Sequence, residues 1–263
     1  MTLSVVNKPV SVKVGRALWW VALVLLIGYR LWLFFSFHAQ YTDLDQALVW
    51  EAAVDMSQGN YYEPKFYGQT YVVLIEAFFT APLLWLGMPV NYAAPLVTLF
   101  MALFPFLLIS VLEKRNGRCL SAVVVLLLAM CMPVQYDLLT GLSRGFVGGV
   151  FVAVWCVLPL YGAQRWRFLV AGIATGLGAV ITPNSVVFSV PVLAVVSFNN
   201  LRNLRWLLVL AGLLPGVVWE LYSQWFYTAN TNHIVWDELD TSWSLARWVH
   251  SFAELDFWCL FAY

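Results

Sequence analysis

Charge is what this chain has least of. Only 11% of its 263 residues are Asp, Glu, Lys or Arg, against roughly 25% in a soluble domain. Cysteine is scarce and unpatterned. Cys119, Cys131, Cys156 and Cys259 form no CxxC pair, and three lie in apolar runs, so they read as packing residues rather than a disulfide framework or zinc site. The histidines (His38, His233, His250) are scattered without ligand spacing. There is no sequon, Walker loop or dinucleotide fingerprint, no internal repeat and no low-complexity linker. The formal net charge is zero, and no nucleic-acid partner is expected.

What the chain has in excess is oil. Hydrophobic residues make up 62%, and the mean hydropathy is +0.79. That composition places it in a membrane. The first apolar run, 17–37, is too long for a signal-peptide core and no small-residue cleavage site follows, so it reads as a retained span. Lys8, Lys13 and Arg16 precede it, and Lys and Arg mark cytoplasmic flanks; the N-terminus is expected inside. Further apolar runs cover 70–88, 91–112, 119–134, 145–162, 168–182, 185–198 and 206–226.

The run 70–88 decides the topology. If it crosses, Lys114, Arg115, Arg118, Arg165, Arg167, Arg202 and Arg205 all face outward; if it lies on the outer surface, all seven are cytoplasmic. It contains Glu76 and Pro82, and only Pro89-Val90 separates it from the next run, so a juxtamembrane helix is expected. The stretch 169–198 is short for two crossings, yet basic pairs bracket it on one side. Two short helices turning at Thr182-Pro183-Asn184-Ser185, or a re-entrant pair, satisfy that. The expected fold is an all-α, polytopic transmembrane bundle of about seven spans. It forms one domain over 1–263, with surface helices in an external first loop (38–90) and an external C-terminal segment (228–263). In that segment Leu245, Trp248, Val249, Phe252 and Leu255 make an amphipathic stripe. The expected location is the plasma or inner membrane, with the active face extracytoplasmic.

The polar stretch 41–69 holds five acids: Asp43, Asp45, Glu51, Asp55 and Glu63. Asp45 has two readings. A carboxylate at the membrane surface can act as general base toward a hydroxyl, or ligate a divalent cation. Alternatively, Thr42-x-x-Asp45 and Asp43-x-x-Gln46 are capping boxes that start a surface helix ending near Gly59. Glu51 and Asp55, at i and i+4, mark a solvated helix face. Lys65, Tyr67 and Gln69 surround Gly68. Lys65 is one of few external cations, and reads as a phosphate contact or a plain interfacial lysine. Asp137 and Arg144 flank an external loop and could hold a sugar and a phosphate, or form a loop ion pair worth little. Arg30 and Glu220 each lie about 14 residues into spans of the same direction, roughly 20 Å deep. Intramembrane charges usually face protein and each other, which suggests a structural pair; Arg30 snorkelling alone is the alternative.

The run Asp45-Gln46-Ala47, the helix ending Met56-Ser57-Gln58-Gly59, the segment Phe66-Tyr67-Gly68-Gln69-Thr70-Tyr71, and Leu74-Ile75-Glu76-Ala77 leading to Ala81-Pro82 together form a pattern. It resembles the N-terminal part of GT-C-type membrane glycosyltransferases, among them bacterial relatives of protein O-mannosyltransferase and of the aminoarabinose–lipid A transferase. The likeness continues through the basic turn Glu113-Lys-Arg-Asn-Gly-Arg118, Arg144-Gly145-Phe146 and Thr182-Pro183. Two features depart from the family: Gln46 stands where a second acid is usual, and family members are longer, with more spans. The resemblance implies inverting transfer of a sugar from a polyprenyl-phosphate donor to a hydroxyl of a glycan, lipid or protein at the outer face. Asp45 would be the base, and Lys65, Arg144 or a divalent cation (magnesium or manganese) would offset charge on the departing phosphate. The second reading is a non-catalytic membrane subunit of a larger transferase, working with a membrane-protein partner. A transporter fits less well, because the polar groups gather outside rather than at the midplane.

Overall fold

The structure, a computed structural model, describes residues 12–37, 44–65, 67, 72–131, 146–200 and 203–230. Among them every regular element is helical and none is a strand. In chain order these are α1 (Val12–Phe37), α2 (Leu44–Ser57), α3 (Ile75–Trp85), α4 (Val90–Arg115), α5 (Cys119–Cys131) and α6 (Phe146–Ala153). A 3₁₀ segment (Val154–Tyr161) extends α6, and α7 (Arg165–Ile181), α8 (Ser185–Phe198) and α9 (Trp206–Ala229) follow. Three helices are long and apolar enough to cross a membrane, at Lys13–Ser36, Val90–Arg115 and Trp206–Ala229; the other apolar helices are shorter. The external C-terminal segment and its amphipathic stripe lie outside the described residues.

Helices α1 and α4 run antiparallel. Near the end of α4 the Lys114 ammonium lies 3.4 Å from the ring centroid of Trp19, near the start of α1. The Trp19 indole N–H donates to Ser110 Oγ at 2.7 Å. Ser110 Oγ in turn donates to the Ala122 carbonyl of α5 at 2.8 Å, so α5 runs back alongside α1. Leu26, Phe34, Leu99, Leu103 and Leu126 fill the space between the three, with Ala22, Ala122 and Ala129 letting the backbones approach.

The short helices α2 and α3 fall where α1 ends and α4 begins. With 11 residues, α3 is about 16 Å long at 1.5 Å per residue, half of a roughly 30 Å hydrocarbon core. It stops at Gly87, in the left-handed region with φ +84°. There the Gly87 N–H donates to the Leu84 carbonyl and the Met88 N–H to that of Leu83, the glycine stop that satisfies the last carbonyls. Extended Pro89 then begins α4. The segment 72–88 thus turns the chain into α4 at the end it starts from. Helix α2 covers Leu44–Ser57 and closes at Gly59 (φ +84°), the helix end expected there.

The second half repeats the to-and-fro. The 3₁₀ segment returns to the end of α4, where the Tyr161 hydroxyl donates to Glu113 Oε1 at 2.8 Å. Helices α7 and α8 turn at Thr182-Pro183-Asn184, the out-and-back path expected for 169–198, made by two short helices. Arg205, just before α9, lies 5.5 Å from the Phe168 ring near the start of α7, so α7 and α9 run parallel. Their contact is glycine on glycine. A Cβ on Gly172, Gly176, Gly212 or Gly216 would collide with the facing backbone; at Gly176 it would lie 2.9 Å from the Leu213 carbonyl oxygen. This reciprocal small-x-x-x-small packing brings two helices close enough for dispersion alone to hold them.

These directions sort the charges. Lys13, Arg16, Lys114, Arg115, Arg118, Arg165, Arg167 and Arg205 occupy one end, the basic end. Glu51, Asp55, Glu63, Glu76 and Glu220 lie toward the other, the acidic end, with Arg30 and Lys65 among them, while Glu113 stands in the basic group.

Candidate functional site

At the acidic end an apolar groove of about 300 Å³ opens between the chain entering α3 and two of the longer helices. Val73 and Ile75 form one wall with Phe78; Leu177, Val180 and Ile181 of α7 and Trp219 of α9 form the other. The wall is fixed by a backbone bond from Val73 N–H to the Ile181 carbonyl at 3.0 Å. The volume sits at the small end of the range for ligand pockets. Its lining is wholly apolar, which suits a hydrocarbon chain and not a sugar.

The polar groups stand beside it. Lys65, buried to 6% exposure, donates to Glu220 Oε2 at 2.8 Å, one residue beyond the Trp219 of the groove. The Tyr227 hydroxyl donates to Glu63 Oε2 at 2.9 Å, and that of Tyr67 to Asp55 Oδ2 at 3.1 Å. Tyr61 lies 5.7 Å from the Phe78 ring; burial, then Tyr222 and Glu63, lift its hydroxyl to about 12. Burial and the bond to Asp55 likewise push the Tyr67 hydroxyl above the ordinary tyrosine range. Tyr67 and Tyr227 act as donors to carboxylates. The cluster Glu63–Lys65–Glu220 carries one more negative than positive charge.

Lys65 is therefore not an open cation: Glu220 holds it. This also corrects the expected Arg30–Glu220 pair. Arg30 is fully buried and donates from Nη2 to the Ala129 carbonyl at 2.6 Å and that of Met130 at 3.5 Å. Both carbonyls belong to α5. The reason is lateral: α1 packs on α5 while α9 packs on α7, so equal depth does not make the two residues neighbours.

Of the other anticipated residues, Asp45 lies in the first turn of α2, whose inner face is packed through Val49, Ala52 and Ala53 onto Leu74 and Ala77. Its side chain lies outside the described residues, as do Asp43, Gln46, Gln69, Asp137, Arg144 and all three histidines. Glu51 is exposed, as expected, whereas Asp55 is half-buried under Tyr67. Among the described residues no three His, Cys, Asp or Glu side chains converge on a point where a metal ion could sit, so nothing described assigns a place to magnesium or manganese. Cys119, Cys131 and Cys156 are free thiols.

Sequence reasoning missed three features: Glu63 with Tyr227, the buried carboxylate of Glu76, and the glycine seam of α7 and α9. Only the last had a readable signal, the matched spacings Gly172-x-x-x-Gly176 and Gly212-x-x-x-Gly216. No protein-family model, curated protein or solved structure matches the chain.

Proposed function

We propose that this chain is a GT-C-type membrane glycosyltransferase that takes a sugar from a polyprenyl-phosphate donor to an acceptor hydroxyl at the extracytoplasmic face. The observation that carries the reading is the apolar groove beside the Lys65–Glu220 pair, at the end of the bundle opposite the basic cluster. By the positive-inside rule the basic end faces the cytoplasm, and α1, α4, α5, α6 with its 3₁₀ extension, α7, α8 and α9 then make seven crossings.

In this reading an isoprenoid tail enters the groove from lipid and its phosphate comes to the rim. Lys65 exchanges Glu220 for a phosphate oxygen, or Arg144 supplies the positive charge. Asp45 takes the proton from the acceptor hydroxyl as its oxygen attacks the anomeric carbon. The bond from that carbon to the phosphate oxygen breaks, and the polyprenyl phosphate leaves with the electron pair. General-base help of this kind is worth about 10²–10⁴-fold, so Asp45→Asn should reduce transfer by that factor while membrane insertion stays intact. Photo-crosslinking with a diazirine-bearing polyprenyl phosphate should label peptides containing Val73–Phe78 and Leu177–Ile181. Labelling elsewhere, or Asp45→Asn turnover near that of the parent, refutes the reading.

The second reading, a non-catalytic subunit that binds the donor lipid for a partner, is favoured by Gln46 and by the net negative charge around Lys65. It predicts the same crosslinks with no transfer by the purified chain, and transfer once a membrane partner is restored.

A further inference from the structure

We propose that the corner where the start of α1 meets the end of α4 and the start of α5 holds the headgroup of an anionic glycerophospholipid, with an acyl chain lying along Trp20, Val24 and Ile27 of α1. The binding does not depend on the sugar-transfer reading; only its placement in the cytoplasmic leaflet follows from the positive-inside assignment above.

Three helix ends converge there. A Cβ on Gly15 of α1 would lie 2.8 Å from the Cβ of Cys119, so the starts of α1 and α5 touch. Arg16 follows the first of those residues and Arg118 precedes the second. From α4 the Lys114 ammonium reaches in, 3.4 Å from the ring centroid of Trp19 and 4.5 Å from that of Trp20. Trp19 is buried and fastened to Ser110, which fixes where the ammonium sits, while Trp20 is exposed. The rings attract a cation through their quadrupoles but cancel none of its charge.

That charge lacks a counterpart. Lys13, Arg16, Lys114, Arg115 and Arg118 stand against one carboxylate among the described residues of these three helices, that of Glu113. Glu113 is already committed, to Arg118 at 3.3 Å and to the Tyr161 hydroxyl at 2.8 Å. Among the described residues no carboxylate lies within 4.0 Å of Lys13, Arg16, Lys114 or Arg115. Gathered cations repel one another and draw an anion.

The neighbouring surface says which anion. Lys13, Arg16, Trp20, Val24 and Ile27 recur at spacings of three and four, so they share one face of α1, and all five are exposed. A ligand that meets the cations and also covers this strip is anionic at one end and hydrocarbon at the other. Tryptophans mark the level where headgroups give way to chains, and anionic lipids enrich the cytoplasmic leaflet. A free phosphate would leave the strip bare.

The test is native mass spectrometry of the full chain released from detergent micelles, titrated with phosphatidylglycerol, phosphatidylcholine or glycerol 1-phosphate. The parent should prefer phosphatidylglycerol to phosphatidylcholine, and glycerol 1-phosphate should not compete with it. Each basic residue beside an anionic headgroup is worth roughly fivefold in affinity. Arg16→Gln with Lys114→Gln should therefore weaken phosphatidylglycerol by about 25-fold. Arg165→Gln with Arg205→Gln, which removes two charges from the same end of the bundle, should cost less than about twofold if the site is local. Equal affinity for the two lipids, equal losses in the two double variants, or competition by glycerol 1-phosphate overturns the proposal. Should the Arg16 and Lys114 variant fail to fold, Arg16→Gln alone serves: a loss of roughly fivefold supports the proposal and unchanged affinity overturns it. A phosphatidylglycerol with a diazirine high on one acyl chain should label the peptide that holds Trp20 and Val24, and labelling confined to other peptides overturns the placement.

Discussion

Lys65 and Glu220 offer the sharpest test of how the first loop is fastened to the bundle. They are 155 residues apart in sequence and 2.8 Å apart in space. Glu220→Gln leaves the ammonium of a 6%-exposed lysine without its counter-charge. Breaking a fully buried pair costs about 3–5 kcal/mol, while an exposed pair is worth about 0–1 kcal/mol. With the Glu220 side chain 39% exposed, solvent screens part of the loss, and about 1–2 kcal/mol is the expected destabilisation. For a chain this size that lowers the melting temperature by roughly 2–8 °C. The assay is a double-mutant cycle on protein in detergent or nanodiscs, using Glu220→Gln, Lys65→Gln and both together. The coupling should be about 1–2 kcal/mol, above the roughly 0.3–0.5 kcal/mol scatter of independent sites, and the reversed pair Lys65→Glu with Glu220→Lys should recover most of it. The same cycle between Arg30 and Glu220 should show none. Additivity at Lys65–Glu220, or coupling at Arg30–Glu220, would refute the assignment. On the proposed function Glu220→Gln also frees Lys65, so farnesyl phosphate should bind more tightly to it than to the parent.

Three further outcomes follow from the packing. A reporter active only outside the cytoplasm, fused at Asn116 after α4, should be silent, and a strong signal would reverse the assigned faces. Gly176→Leu puts a side chain into the Leu213 backbone; overpacking of this kind costs about 1–3 kcal/mol, seen as a lower melting temperature, and an unchanged value would contradict the seam. Glu76 holds its proton to about pH 7 in the folded chain, against a reference value of 4.5. Between those values the folded state binds more protons than the unfolded state, so stability is greatest below about pH 4.5, falls as pH rises to about 7 and levels off above. The span corresponds to about 3 kcal/mol. Glu76→Gln should flatten that slope and melt higher than the parent at pH 8 but not at pH 5; parallel melting curves at both values would disprove the titration.

Much of this was legible along the chain because the signals are local. The scarcity of charge set the membrane class, and the clusters from Lys13 to Arg205 set which helix ends lie together. Glu76, Pro82 and the two-residue gap after 70–88 marked α3 as a short helix set apart from α4. Gly59 and Thr182-Pro183 marked where α2 and α7 stop. What sequence could not supply was neighbourhood. Lipid-facing and protein-facing sides of these helices are equally apolar, so periodicity does not say which helix meets which. Arg30 and Glu220 show the consequence: equal depth was readable, but the glycine seam puts α9 on α7 while α1 packs on α5, and Glu220 is left to Lys65. The groove under Trp219, the bond from Gly148 N–H to Glu76 and the Glu63–Tyr227 bond likewise join residues far apart in the chain. Their proximity is settled by shape, through backbones that touch only where glycine and alanine allow.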